Sequence, residues 1–145
     1  MTAADGSSGR PGARSSHERL AVVCGTATGV GKSWVAPRLL RGLRRRGVTV
    51  AARKPAQSFA DDGLATDAEL LAAASRQAPP DVCPAHRWYP VAMAPPMAAE
   101  VLGREVITAA ALAAELTWPA WAAVGIVETA GGLRSPLACD SDAVT

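Results

Sequence analysis

Lys32 and Ser33 close the run Gly25-Thr26-Ala27-Thr28-Gly29-Val30-Gly31-Lys32-Ser33, and their types and spacing suit them to hold a phosphate. The run follows the apolar stretch Leu20-Ala21-Val22-Val23-Cys24. A short buried strand, a glycine-rich turn and Lys-Ser opening a helix is the layout of a phosphate-binding loop. Backbone N–H groups at the start of such a helix face the phosphate oxygens, and the helix dipole favours their negative charge. Lys32 would reach the outer phosphates and the Ser33 hydroxyl would ligate Mg²⁺. The strict pattern is not met: counting back from Gly31-Lys32, its first glycine position holds Thr26, and Gly25 sits one residue early.

Of the 15 basic residues only Lys32 and Lys54 are lysines. Lysine carries a compact point charge on a flexible stem, where arginine presents a planar fork, so the two are not interchangeable at a reacting group. Asp67 is open to a plain structural reading, because an acidic residue in the first turn of a helix is favoured by the dipole alone. Glu128 is less easily set aside. It directly follows the apolar run Val124-Gly125-Ile126-Val127, and a carboxylate there needs a cation or donors to offset its desolvation. Mg²⁺ held by Ser33, Asp67 and Glu128 would meet that need, since Mg²⁺ takes one or two carboxylates together with phosphate oxygens. Ala130-Gly131-Gly132 then lets the backbone approach a ligand closely. The residues by themselves reach Mg²⁺-dependent nucleotide phosphoryl transfer and leave the acceptor open.

The elements that must carry these groups follow from periodicity. Over Ser33–Arg46, Val35, Leu39 and Leu43 recur at four-residue spacing with Ala36 and Leu40 beside them, which predicts a helix closed by Gly47. Pro37 should distort its second turn, because it removes the N–H that would bond the Ser33 carbonyl. Val48–Ala52 reads as a second strand, giving a β-α-β unit with a right-handed crossover into a parallel sheet. Thr66-Asp67-Ala68-Glu69 is a capping box opening a helix that Pro79-Pro80 should end. Trp88-Tyr89-Pro90-Val91 reads as extended, Pro95-Pro96-Met97 as a helix start, and Ile107–Leu116 as a helix capped by Thr108. Trp118 and Trp121, read as packing residues, lead into a strand over 122–127. Three strands therefore end at Cys24, Ala52 and Val127, each followed by a candidate chemical group. In open α/β sheets ligands bind outside the carboxyl ends of the strands.

Composition bounds the alternatives. The chain has 145 residues, 49% hydrophobic, with a net charge of +2, enough for one core and too weakly basic to point to nucleic acid or a membrane surface. Arg41–Arg46 reads as a solvated helix end, where the dipole favours cations. Cys24, Cys83 and Cys139 are widely spaced, and His17 and His86 stand apart. That pattern fits a reducing cytoplasm better than a disulfide framework or a zinc site. Residues 1–19 are expected to be a disordered tail, with Asp5 and Glu18 arguing against a transit peptide, and residues 20–145 one nucleotide-binding domain. No apolar run approaches membrane-spanning length.

In their order along the chain these motifs resemble dethiobiotin synthetase. The resemblance is carried by Gly25–Ser33, Lys54-Pro55-Ala56-Gln57-Ser58, Thr66-Asp67-Ala68-Glu69-Leu70-Leu71, Tyr89-Pro90-Val91-Ala92-Met93-Ala94-Pro95, and Glu128-Thr129-Ala130-Gly131-Gly132-Leu133 with Pro136-Leu137. It implies a P-loop α/β fold with a mostly parallel sheet flanked by helices, truncated relative to the family, and a homodimeric cytoplasmic ligase of biotin biosynthesis. The implied substrates are ATP with Mg²⁺, a diaminononanoate and CO₂, with no nucleic acid and no membrane as partners. Lys54 and Lys32 would be catalytic, and Ser58 would contact substrate. Thr28, Gly29, Val30, Gly31, Lys32, Ser33, Trp34, Asp67, Glu128, Thr129, Ala130 and Gly131 would hold the nucleotide, with Ser33, Asp67 and Glu128 on the metal.

Four positions depart from the family pattern. Ala27 replaces an acidic residue, Phe59 a glycine where it could crowd the substrate, and Pro96 a residue commonly His. Thr129 replaces a glycine and would be strained if its backbone required positive φ. Two rival readings remain: the nucleotide-binding part of a related amide-forming synthetase, and a non-catalytic ATP-binding module. A membrane-associated switch ATPase is disfavoured, because Thr26-Ala27-Thr28 lacks the early lysine of such loops.

Overall fold

The computed structural model describes residues 19–105 and 107–144. The expected tail lies outside these residues except for Arg19, which opens the first strand instead of closing a tail. In chain order the elements are β1 (Arg19–Val23), α1 (Lys32–Arg45), β2 (Val50–Arg53), β3 (Gln57–Ser58), α2 (Asp67–Ser75), α3 (Pro79–Val82), a 3-10 turn over Ala85–Arg87, β4 (Trp88–Tyr89), α4 (Pro95–Val101), α5 (Ala109–Glu115), β5 (Val124–Glu128), β6 (Pro136–Ala138) and β7 (Ser141–Asp142).

The three strands expected from the apolar runs form one parallel sheet in the order β1-β5-β2. The last of them in the sequence is thus inserted between the first two. Two short pairs accompany it, β3 with β4 in parallel and β6 with β7 antiparallel. The chain is an α/β structure of P-loop type, with a mostly parallel sheet flanked by helices. Side chains alternate across the sheet, so Ala21, Val23, Val50, Ala52, Val124 and Ile126 point to one face and join the main core. α1 and α2 close that face through Ala36, Leu40, Ala68, Leu71, Ala72 and Ala74.

The rotation of α1 about its axis differs from what its apolar spacing suggests. Ala36, Pro37 and Leu40 are buried, whereas Val35 and Leu39 are 46% and 39% exposed. The phosphate loop accounts for this. Ser33 bonds inward to Asp67 and Glu128, and positions three, four and seven residues further on share its face of the helix. Pro37 does not interrupt α1; packing of its buried ring offsets the lost backbone bond. Arg46 and Gly47 end the helix through N–H bonds to Leu43 and Arg44, with Gly47 at φ 79°. Arg41, Arg45 and Arg46 are exposed, as a solvated helix end requires, while Arg44 reaches the Ala74 carbonyl at the end of α2.

α2 begins with the expected capping box: Glu69 N–H donates to Thr66 Oγ1, and Thr66 N–H donates to Glu69 Oε2 at 2.7 Å. It ends earlier than the sequence suggests, at Ser75, because Arg76 adopts a left-handed conformation with φ 64°. Pro79-Pro80 instead opens α3, as proline's fixed φ allows in a first helical turn. α4 starts at Pro95, and Thr108 caps α5 by accepting from Ala111 N–H. Trp118 lies over Gly125, whose missing side chain leaves it room, while Trp121 is 54% exposed. Among the described residues no helix is long and apolar enough to cross a membrane.

Candidate functional site

Register brings the candidate groups to one level. Val23 of β1 faces Glu128 of β5, and Arg53 of β2 faces Val127. The glycine-rich loop after β1, Lys54 after β2 and Glu128 at the end of β5 therefore share one edge of the sheet. Thr129 N–H donates to the Val23 carbonyl at 3.1 Å and Leu133 N–H to the Gly25 carbonyl at 2.8 Å, which ties the segment after β5 to the loop. Gly132 makes that approach possible, since a Cβ there would lie 2.7 Å from the Thr26 carbonyl oxygen. Within the loop, Gly29 and Gly31 take φ of 77° and 99°, a region that side chains disfavour.

Below this edge lies a compact charge cluster. Lys54 Nζ is 2.6 Å from Asp67 Oδ2 and 2.9 Å from Glu128 Oε1, and it donates to the Thr129 carbonyl at 3.2 Å. Ser33 Oγ lies 2.6 Å from Asp67 Oδ1 and 2.8 Å from Glu128 Oε1. One hydroxyl has a single proton to donate, so the two carboxylates share it. Lys54 is 1% exposed and Glu128 fully buried, and Glu128 Oε2 has no hydrogen-bond partner among the described residues. Burial on its own would raise the Asp67 carboxyl. The Lys54 charge and hydrogen bond, the Ser33 hydroxyl and the Lys32 charge outweigh it and hold Asp67 below the usual carboxylate range. Gln57 Oε1 accepts from Ala68 N–H at 2.9 Å and so fixes the first turn of α2 that carries Asp67. Lys32 Nζ turns back to the Ala27 carbonyl at 3.1 Å.

A cleft of about 530 Å³ opens over this cluster. Its walls include Thr28, Gly29, Gly31, Lys32, Ser33, Trp34, Lys54, Ser58, Asp67, Ala130 and Gly131, all singled out from the sequence. Three expected residues do not line it. Val30 is half exposed on the loop, Glu128 lies beneath the floor in contact with Ser33 and Lys54, and Thr129 is buried, offering its carbonyl to Lys54. Five residues were not singled out as site residues: Ala92, Met93, Ala94 and Pro95 ahead of α4, and Ser135. The first four were visible only as part of the Tyr89–Pro95 motif. Ser135 had a fainter signal, a Ser-Pro step just past Gly131-Gly132, and its Oγ accepts from Gly132 N–H at 2.9 Å. The Ser58 hydroxyl donates to the Met93 carbonyl, which joins the two walls.

Two expected difficulties do not arise. Phe59 stacks edge-on against Trp88 at 6.3 Å and is absent from the cleft wall, so it does not crowd the cleft. Arg76 is the one non-glycine residue with positive φ among the described residues, so Thr129 carries no such strain. The oxygens at the cleft floor suit a hard cation. Two carboxylates and a hydroxyl converge there, one buried carboxylate oxygen lacks a partner among the described residues, and Mg²⁺ prefers oxygen ligands of this kind. Among the described residues no group of three or more His, Cys, Asp and Glu is placed to hold a metal, so such a cation would depend on the hydroxyl and on ligand oxygens.

Strand, glycine loop and helix, with a lysine and a serine at the helix start and two carboxylates beneath, place this chain in the class of P-loop α/β proteins. No protein family model matches it. In sequence it is a relative of the dethiobiotin synthetases. It is 43% identical to the ATP-dependent dethiobiotin synthetase BioD of Anaeromyxobacter dehalogenans strain 2CP-1 over 117 residues, 79% of this chain and 52% of that protein. It is 39% identical over 126 residues to the protein of that name from Chromohalobacter salexigens and 36% identical over 126 residues to that of Nitrosospira multiformis. These alignments cover 83% and 84% of this chain, against 53% and 54% of the relatives. The chain thus spans about half the length of the curated relatives it matches.

Proposed function

We propose that this chain performs the ATP- and Mg²⁺-dependent closure of a diaminononanoate with CO₂ to dethiobiotin, as a cytoplasmic homodimeric ligase of biotin biosynthesis. The observation that carries the reading is the convergence of Ser33, Lys54, Asp67 and Glu128 within 2.9 Å contacts under the glycine loop. The similarity to dethiobiotin synthetases supplies the acceptor.

In this reading one substrate amine takes up CO₂ as a carbamate. A carbamate oxygen attacks the γ-phosphorus of ATP, ADP leaves, and a carbamic-phosphoric anhydride results. The second amine attacks the carbamoyl carbon, loses its proton, and expels inorganic phosphate as the cyclic urea closes. Loop N–H groups and Lys32 hold the phosphate chain at the start of α1. Lys54, on the cleft floor, neutralises the carbamate and γ-phosphate oxygens as they approach; each charge-assisted hydrogen bond contributes about 1.5–3 kcal/mol. Ser33, Asp67 and Glu128 would hold Mg²⁺, which when bound neutralises the phosphate oxygens. Ser58, Met93 and Ser135 border the region left for the diamine. Little covalent work falls to the protein in such a transfer; preorganised positive charge is its main device.

The test is phosphate release from ATP by this chain with the diamine and bicarbonate present together or singly, with the product weighed by mass spectrometry. Release that requires both, with dethiobiotin formed, is expected. Release indifferent to the diamine, or no dethiobiotin, would refute the assignment.

A further inference from the structure

Two cations have claims on the same oxygens at the cleft floor. Lys54 Nζ contacts Asp67 Oδ2 and Glu128 Oε1, and Glu128 Oε1 also meets the Ser33 hydroxyl. These three side chains are the ones assigned above to Mg²⁺. That ion demands close, near-octahedral oxygen coordination, and Glu128 Oε1, the carboxylate oxygen that meets Ser33 Oγ, is one the ammonium already engages. A divalent cation and an ammonium on one carboxylate oxygen repel each other. Glu128 cannot be left bare either, because it is fully buried and an unpaired buried charge is strongly destabilising.

We propose that Lys54 is the exchangeable counter-ion of the metal seat. It balances Asp67 and Glu128 until Mg²⁺ arrives, and entry of the metal moves the ammonium off the carboxylates and into the cleft that Lys54 already lines. The flexible four-carbon stem permits the swing. The inference rests on the Mg²⁺-nucleotide reading and adds an order to it: the lysine becomes available to anionic substrate groups only once the metal has replaced it. Lys54 then reports metal occupancy to the reacting end of the site.

The chain has only two lysines, Lys32 and Lys54, so protein labelled with ¹³C at lysine Cε gives two resonances, which Lys32→Arg assigns. Titration with Mg²⁺ alone is expected to move the Lys54 resonance with the midpoint found for metal binding by calorimetry. Mn²⁺ binding followed by electron paramagnetic resonance should be at least tenfold tighter in Lys54→Met than in the parent chain. A Lys54 resonance that stays in place while Mg²⁺ binds would overturn the exchange and leave the metal reading intact, as would equal or weaker Mn²⁺ binding by the variant. Failure of both proteins to bind either ion would remove the metal reading and this inference together. If Lys54→Met does not fold, the resonance in the parent chain decides alone.

Discussion

Lys54 sits where its removal has two separable consequences. Its ammonium is the counter-charge for Asp67 and the fully buried Glu128, and in the proposed reaction it is also the charge that meets the carbamate. Lys54→Ala should therefore abolish turnover and also lower stability by about 3–5 kcal/mol, the cost of leaving a buried charge without its partner. Urea denaturation beside the phosphate assay checks both, and an unchanged denaturation midpoint would contradict the first role. Asp67 gives a pH dependence with a defined sign. Its folded pKa lies below its unfolded value of about 3.9. Its contribution is thus present above that value and lost as pH falls through the lower folded one. In metal-free buffer, stability should fall below about pH 4, and Asp67→Asn should flatten part of that fall. Lys54 and Glu128 were legible in the sequence because a scarce and a costly residue type stood at strand ends, whereas Asp67, favoured in a first helical turn by the dipole alone, gained its role only beside them. The direction of neighbouring side chains was not legible. Phe59 turns to Trp88 and Val30 to solvent for reasons of packing that spacing does not encode.

At the scale of elements, the caps carry positional information. The Thr66 side chain and Glu69 exchange bonds at the start of α2, one residue before Asp67. Thr66→Ala should cost about 1 kcal/mol, measured by denaturation, and should loosen Asp67 enough to weaken the pair with Lys54. Such caps were readable because residue type and three-residue spacing define them. So were the three main strands, as apolar runs. Trp88-Tyr89 of β4 was readable as extended, but the pairings β3–β4 and β6–β7 were not, because strands of two or three residues are too short to show a period. The rotation of α1 escaped too, since it is set by Ser33 reaching across to Asp67 and Glu128, partners 34 and 95 residues away. The end of α2 rests on a left-handed Arg76, a conformation that no turn residue announced.

At the scale of the molecule, the β1 edge away from β5 pairs with no strand among the described residues. Leu20 and Val22 on this strand are 57% and 55% exposed, and an edge of this kind is a template for association. Sedimentation should show concentration-dependent self-association of this chain, reduced by Leu20→Lys with Val22→Lys; monodispersity of the parent would contradict this. The order β1-β5-β2 was not legible either, although its result, three strand ends at one level, follows from register and gives the cleft its floor. The most direct test of the account is calorimetric titration of ATP into this chain, with and without Mg²⁺, beside Lys32→Ala. Binding that Mg²⁺ strengthens and that Lys32→Ala weakens at least tenfold is the predicted result. No binding by the parent chain, or an affinity indifferent to Lys32 and to Mg²⁺, would contradict the central claim that the cleft is a Mg²⁺-nucleotide site.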